Sequence, residues 1–386
     1  MNRIVNWHVL DVRAIWIKEF AAALGKQVST LGWLPQISAI ASLRNDEYEA
    51  MNDDPVLPVR RFPLQRGFAK FPMDKIAREG NRIARRIRLR SNDSAESTLI
   101  CTSPHYAAVA ESWRGPIVYY VTDRFIDYGD DPALIKSLDQ RMCKVAHLVC
   151  PNSQRIANYL TEISHCSAGK SSIIPNATRS ENLLSTPKYS AESPSDIADL
   201  PRPLAGVIGN LAANTDWELL KGTIQRTPWL SWVFVGPTDM VVDESMQKQA
   251  REFLMRHKRR VRFVGAKPYA TLKNYARAID VAVLPYVKRE PTYSGSSTRF
   301  YEHLAACKPI VATRGVEELL HKEPLLRLAD TADELASTLE KLRGAQFRDG
   351  QEEERCKASQ TETWERRASA MINALSERCG RGREAA

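Results

Sequence analysis

Apolar residues in this chain fall into two kinds of segment that alternate. Short runs rich in β-branched and aromatic side chains, TLICT near 98–102, PIVYYV at 116–121, AHLVC at 146–150 and SSIIP at 171–175, are separated by stretches of helical character. Runs this brief, bounded by polar residues, read as strands, and strands alternating with helices predict parallel βαβ units. After a polar stretch rich in Pro and Ser the rhythm restarts with LAGVIG, SWVFVG, RVRFVG, DVAVLP at 280–285 and PIVAT at 309–313. Several of these runs end in Gly or Pro, as strands entering loops do.

The break between the two series is TRSENLLSTPKYSAESPSDIADLPRP, residues 178–203, which has linker composition and no amphipathic period. A chain of 386 residues with 43% hydrophobic side chains is also too long for one ordinary core. The predicted fold class is therefore α/β, with two Rossmann-like domains facing across a cleft. The expected boundaries are 1–177, a linker at 178–203, a second domain at 204–350, and a C-terminal helix and tail at 351–386 around TETWERRASAMINALSER. Parallel sheets bind ligands at the carboxyl ends of their strands, which makes the cleft the expected site.

Charge and cysteine usage narrow the setting. The seven cysteines lack the paired spacing of metal or redox motifs and read as thiols in a reducing compartment. Asp11, Arg13, Lys18 and Glu19 interrupt the N-terminus too early for a signal peptide, and no run reaches the roughly 18 apolar residues of a spanning helix. Eleven Lys or Arg and two acidic residues between 60 and 90 account for the whole formal charge of +9. There Ile76, Ile83 and Ile87 share one helical face, Arg78, Arg82, Arg85 and Arg86 spread beside it, and Phe62, Phe68 and Phe71 precede it. A basic amphipathic helix of this kind predicts contact with anionic lipid head groups or a lipid diphosphate, through Arg82, Arg85, Arg86 and Arg88. The competing reading is a helix whose apolar face packs on its own sheet and whose charges are solvated. Nucleic acid is not expected as a partner, because no binding module accompanies the charge.

The chemistry concentrates in TYSGSSTRFYEHLAACKPIVATRGVEEL, residues 292–319. Ser294, Ser296, Ser297 and Thr298 surround Gly295 and precede a predicted helix, whose first N–H groups and positive dipole end suit a diphosphate. Arg299 in the first turn supplies a charge-assisted fork, and Glu302 one turn later accepts hydrogen bonds from two ribose hydroxyls. Composition alone equally allows an N-capped helix with Arg299 and Glu302 in solvent. Glu302 through Ala312 also resembles the nucleotide-sugar signature of glycosyltransferase family 4-like (group 1) enzymes of the GT-B fold, bacterial polysaccharide-biosynthesis type. GVIGNLAANTDWELL at 206–220, WVFVGP at 232–237 and VRFVGAKPYATLKNYARAIDVAVLPY at 261–286 are similar to that family's strands and loops.

The resemblance implies an acceptor-binding N-terminal domain, a nucleotide-sugar-binding C-terminal domain, and a transferase that is peripheral at the cytoplasmic face of the plasma membrane. Its acceptor is expected to be a lipid-linked sugar or polysaccharide. The donor contacts implied are Glu302, Arg299, Ser294, Gly295, Ser296, Ser297, Thr298, Gly209 and Asn210. The donor is a substrate, and no cofactor or metal is expected. Ser294 stands where the family commonly carries an earlier glutamate, and Asn210, Ala212, Ala213 and Asn214 stand where it often has a basic pair. Phosphate neutralisation then falls to Arg299, to Lys288 or Arg289, or to the helix start. The same departures motivate an alternative, a non-catalytic transferase-like scaffold subunit.

In the N-terminal half PIVYYVTDRFIDYGDD runs from a strand into an acidic loop, where a general base belongs. Asp123 is the first candidate and Asp127 its substitute, with a helix cap or a pair with Arg124 as the competing role for Asp123. His105, after the preceding strand, is a donor-contact candidate, and Asn176 reads as a turn residue before the linker. Asp123 as base implies inversion at the anomeric carbon, while the family resemblance implies retention. No Gly-x-Gly-x-x-Gly follows any predicted strand, which argues against a nicotinamide-dependent oxidoreductase.

Overall fold

The computed structural model describes residues 7–37, 57–65, 67–68, 73–91, 97–164, 166, 168–188, 192–211, 213–237, 245–257 and 259–384. The chain forms two compact units, Met1–Asn176 together with Trp364–Ala386, and Ala177–Thr363.

The first unit holds a parallel sheet of β1 (Trp7–Leu10), β2 (Thr30–Ile37), β3 (Val59–Leu64), β4 (Thr98–Cys101), β5 (Ile117–Val121) and β6 (Leu148–Pro151). Their order across the sheet is β3-β2-β1-β4-β5-β6. Strands β1, β4, β5 and β6 are buried throughout, which is why they appear in the sequence as near-continuous apolar runs. The edge strand β3 carries Arg60, Arg61 and Pro63, residues tolerated where one side of the ladder is open, and so escapes detection by pattern. SSIIP is not a strand: it runs beside β6 through one isolated bridge, Val149 to Ser171.

Helices α1 (Ile15–Gly25), α2 (Met73–Ser91), α3 (Ala107–Glu111), α4 (Pro132–Val145) and α5 (Gln154–Ser164) flank this sheet. On α2, Ile76, Ile83, Ala84 and Ile87 are buried in the core. Gly80 permits the close approach to α3, since a Cβ there would lie 2.5 Å from the Ala108 carbonyl.

In the second unit β7 (Leu204–Ile208), β8 (Ser231–Val235), β9 (Val261–Gly265), β10 (Val281–Leu284), β11 (Ile310–Ala312) and β12 (Arg327–Leu328) form another parallel sheet, ordered β12-β11-β10-β7-β8-β9. Counted from its own first strand this is the same arrangement, 3-2-1-4-5-6, as in the first unit. The flanking helices are α6 (Trp217–Arg226), α7 (Ser245–Arg256), α8 (Leu272–Ala278), α9 (Thr298–Ala305), α10 (Ala332–Gly344) and α11 (Glu352–Ser359). One face is packed by aromatic rings, Phe234 stacking on Phe263 at 4.5 Å with Trp217 beside them. Within residues 178–203, Ile197 and Leu200 are buried in the core of this unit. Arg355 is fully buried and paired with Asp349, while its Nε donates to the Leu325 carbonyl at 2.6 Å.

The final helix, α12 (Trp364–Glu384), belongs to the first unit. Lys26 meets Glu365 at 2.8 Å, and Gln27 donates to the Glu365 carbonyl at 2.8 Å.

Candidate functional site

In both sheets the strand order reverses between the first and fourth strands, and the crevice beyond their carboxyl ends is where such sheets take ligands. In the second unit that point lies between β7 and β10. The loop after β10 is laid along the loop after β7: Thr215 and Tyr286 form a bridge, Val287 N–H donates to Asn214 O at 3.0 Å, and Arg289 Nη2 donates to Ala213 O at 2.7 Å.

Arg299 of α9 enters this crevice. Its guanidinium lies over the Tyr286 ring at 5.1 Å, and Nη2 donates to the Asn210 carbonyl. Two glycines admit it. A Cβ on Gly209 (φ 127°) would stand 2.5 Å from Arg299 Nε, and one on Gly236 (φ 152°) would stand 1.8 Å from Gly209 O. Arg299 Nη1 is buried and has no hydrogen-bond partner among the described residues, as are Asn214 Oδ1 and Thr215 Oγ1. A buried guanidinium nitrogen left unbonded costs free energy unless something outside the chain accepts from it.

The helix start is held by two carboxylates that pattern reading did not single out. Ser297 caps α9 by accepting from Phe300 N–H at 3.2 Å and exchanges a 2.8 Å hydrogen bond with Tyr286 Oη. Glu318 Oε2 accepts from Ser297 N–H and Ser296 Oγ, both at 2.9 Å, so one of the N–H groups expected to meet a diphosphate is already engaged. Ser294, expected as a donor contact, is fully buried, and its Oγ donates to Glu290 Oε2 at 2.6 Å. Gly295 has ordinary extended backbone, and a Cβ there would make only ordinary contacts, the nearest with Thr292 O at 3.6 Å. Thr298 opens the helix beside Arg299, and N–H groups in this first turn lie ahead of the helical ladder. Lys288 lies over the Tyr293 ring at 5.2 Å.

Glu302 shares a face of α9 with Arg299. Its two oxygens accept from Tyr269 Oη at 2.5 Å and Asn182 Nδ2 at 2.9 Å, and Arg179 covers the Tyr269 ring at 4.9 Å. One turn beyond Arg299, His303 is buried with both ring nitrogens unbonded among the described residues. Burial, and then the Arg299 charge, push its pKa down to about 3, so the ring is neutral.

In the first unit the reversal falls between β1 and β4. Asp11, directly after β1, adopts left-handed backbone (φ 64°), is forked by Arg13, and accepts from Tyr106 Oη at 3.0 Å. The sequence signal for this cluster is the acidic residue that ends the apolar run WHVL.

Asp123 and Asp127 follow β5. Asp127 pairs with Arg124 at 3.0 Å, whereas Asp123 accepts from Tyr128 Oη and Thr122 Oγ1, each at 3.0 Å. Burial raises the Asp123 pKa, and the two hydroxyls pull it back. His105 is oriented at both ring nitrogens, by Ser103 Oγ at 2.9 Å and Asp130 Oδ2 at 3.4 Å. Asn176 is buried at the end of the first unit.

The basic helix α2 departs from expectation on its apolar face, which the protein core covers. Phe62 and Phe68 are also buried, while Phe71, like Ala212 of the β7 loop, lies outside the described residues. Arg82 pairs with Glu79, and Arg88 stacks on Trp113 at 4.6 Å. Arg85 and Arg86 make no hydrogen bond or ion pair among the described residues; Arg85 is exposed and Arg86 half-buried. No described helix is long and apolar enough to cross a membrane. The described residues hold no group of three or more metal-ligating side chains.

Two Rossmann-type sheets of this strand order define the fold class, which is GT-B. Residues 202–344, within the second unit, match the family model "Glycosyl transferases group 1". Among solved structures, Anabaena Alr3699/HepE in complex with UDP and glucose has a TM-score of 0.70 at 15% identity, covering 97% of this chain and 100% of its own. A glycosyltransferase from Rickettsia africae gives 0.71 at 11% identity over 98% and 99%. An E. coli trehalose-6-phosphate structure bound with UDP-2-fluoro glucose gives 0.65 at 11% identity over 96% and 98%. At these identities the likeness is one of fold. No curated protein sequence matches the chain.

Proposed function

We propose that this transferase takes a UDP-sugar in the β7/β10 crevice of its second unit and passes the sugar to a hydroxyl of a lipid-linked or polysaccharide acceptor. The observation that carries the donor assignment is Arg299 Nη1, buried and unbonded where the strand order reverses. A diphosphate oxygen supplies the missing acceptor in a charge-assisted pair. Each carboxylate oxygen has two lone pairs, so Glu302 can accept ribose hydroxyls while keeping Tyr269 and Asn182. The choice of UDP follows from the HepE and E. coli structures, which hold UDP or a UDP-sugar.

Asp123 is assigned to the acceptor hydroxyl. It is free of the arginine that neutralises Asp127, and a raised pKa makes it a stronger base. The acceptor is assigned to the cytoplasmic membrane face on electrostatic grounds, through Arg85 and Arg86, since the apolar side of α2 is spent on the core.

Calorimetric titration with UDP-, GDP- and dTDP-sugars tests the donor site. Micromolar binding of a UDP-sugar, lost in Arg299→Ala and in Glu302→Ala, is expected. Undiminished binding in Arg299→Ala would place the donor elsewhere.

A further inference from the structure

We infer that the second unit carries a separate binding site for a compact phosphate-type oxyanion, at the end of its sheet opposite the donor crevice. A cavity of about 110 Å³ opens where Asp280 leads into β10 and Lys308 and Pro309 lead into β11. These are amino ends of strands, whereas the Arg299 crevice lies at carboxyl ends. A cavity of this size has room for a phosphate group.

Its charge balance is what identifies the ligand. Two carboxylates and three cations line the wall. Both carboxylates are committed: Asp280 is forked by Arg202 at 3.0 Å and accepts from Leu204 N–H at 2.7 Å, and Glu352 Oε1 accepts from Asp349 N–H at 2.9 Å. Lys308 is only 8% exposed, yet it makes no hydrogen bond or ion pair among the described residues. Burial lowers its pKa, Asp280 opposes that shift, and an anion in the cavity would oppose it further. Lys188, exposed at the rim, is also without a hydrogen bond or ion pair among the described residues, and Arg348 completes the cationic side.

Lys308 follows the end of α9, and the end of α10 supplies another part of the wall. Four non-glycine residues among those described have positive φ, and three of them, Cys307 (60°), Gln346 (53°) and Phe347 (56°), line this cavity. Cys307 and Gln346 each stand where a helix ends, the place at which a chain commonly turns left-handed, and two helix ends thereby frame the cavity.

Thermal unfolding of the full chain in inorganic phosphate and sulfate, against chloride at equal ionic strength, tests the site, because a ligand that binds only the folded state raises the midpoint. The expected result is a saturable rise with both oxyanions and none with chloride. Lys308→Met should abolish it, and Lys188→Met, which alters only an exposed side chain, should raise the half-saturating concentration roughly fivefold, about 1 kcal/mol. Arg299→Met should leave it intact. No rise, a rise that survives both lysine variants, or a rise lost only in Arg299→Met would overturn the proposal, the last because the phosphate would then be reporting the donor crevice. A hexose phosphate that saturates at lower concentration than phosphate assigns the ester as occupant; the reverse assigns the free ion.

Discussion

The two sheets repeat one strand order, and in both the residue directly after the first strand has positive φ, yet the crevices beside them carry opposite charge. In the second unit that residue is Gly209, whose missing side chain lets Arg299 lie against the backbone. In the first it is Asp11, which fills the same turn with a carboxylate and engages Arg13 and Tyr106. Topology thus places a crevice, and one residue at its floor sets the sign. The second unit offers a guanidinium with one nitrogen, Arg299 Nη1, unbonded among the described residues, suited to an anionic donor. The first offers Asp11, Asp123, Asp127 and Asp130 along its strand ends, suited to handling a proton.

The comparison breaks most sharply at Asp123. If this carboxylate is the base, Asp123→Asn lowers kcat by about 10²–10⁴-fold while UDP-sugar affinity is unchanged. Asp127→Asn should do much less, because Asp127 is neutralised by Arg124. Equal losses in the two variants would remove Asp123 from the reaction.

Gly209→Ala is the matching test in the second unit. The added methyl meets Arg299 Nε at 2.5 Å, in backbone that an L side chain rarely adopts. Displacing the arginine should cost kcat/KM about 10²–10³-fold, the scale of one lost oxyanion contact. Arg299→Ala should give a similar loss, and the double variant little more, since both remove one interaction. Additive losses would mean that Gly209 acts otherwise than by admitting Arg299.

Much of this was readable beforehand. The β-rich runs that form β4 to β11 and the helix bearing Arg299 and Glu302 announced themselves through periodicity and small-residue composition. What stayed hidden depends on contacts between distant residues. Neither the clash that reserves Gly209 for glycine nor the Glu318 and Glu290 anchors of the helix start follow from local spacing. The short strands β1 and β12 were missed as well as β2 and β3, where Gly32, Pro35 and the arginines of β3 break the alternation. On α2 the pattern gave the correct apolar face but not its neighbour, which is the core.

The two units also bury carboxylates differently. Asp349 is paired with a buried arginine, whereas Asp139 has only hydroxyls, from Tyr119 at 2.5 Å and Tyr159 at 3.0 Å, and burial lifts its pKa to about 6. The native state therefore holds a proton that the unfolded chain has released between about pH 4 and pH 6. Stability contributed at this site is greatest below pH 4, falls as pH rises through 6, and is flat above. Relative to Asp139→Asn, the wild type should lose roughly 2–3 kcal/mol across that window in urea titrations. Parallel pH profiles for the two proteins would show that Asp139 ionises normally.

The smallest expected effect concerns α2, where the first unit is basic instead of acidic. Arg82 and Arg88 are occupied by Glu79 and Trp113, so the proposed membrane contact rests on Arg85 and Arg86. Each is worth about 1 kcal/mol near an anionic surface, and together they change binding by roughly 30-fold. Sedimentation with phosphatidylserine vesicles at low salt should fall accordingly in Arg85→Gln with Arg86→Gln, and should not respond to Arg82→Gln. An equal response to Arg82→Gln would mean that the vesicle reads the net charge of the segment and not the two arginines left without partners, and the electrostatic face would then extend beyond α2.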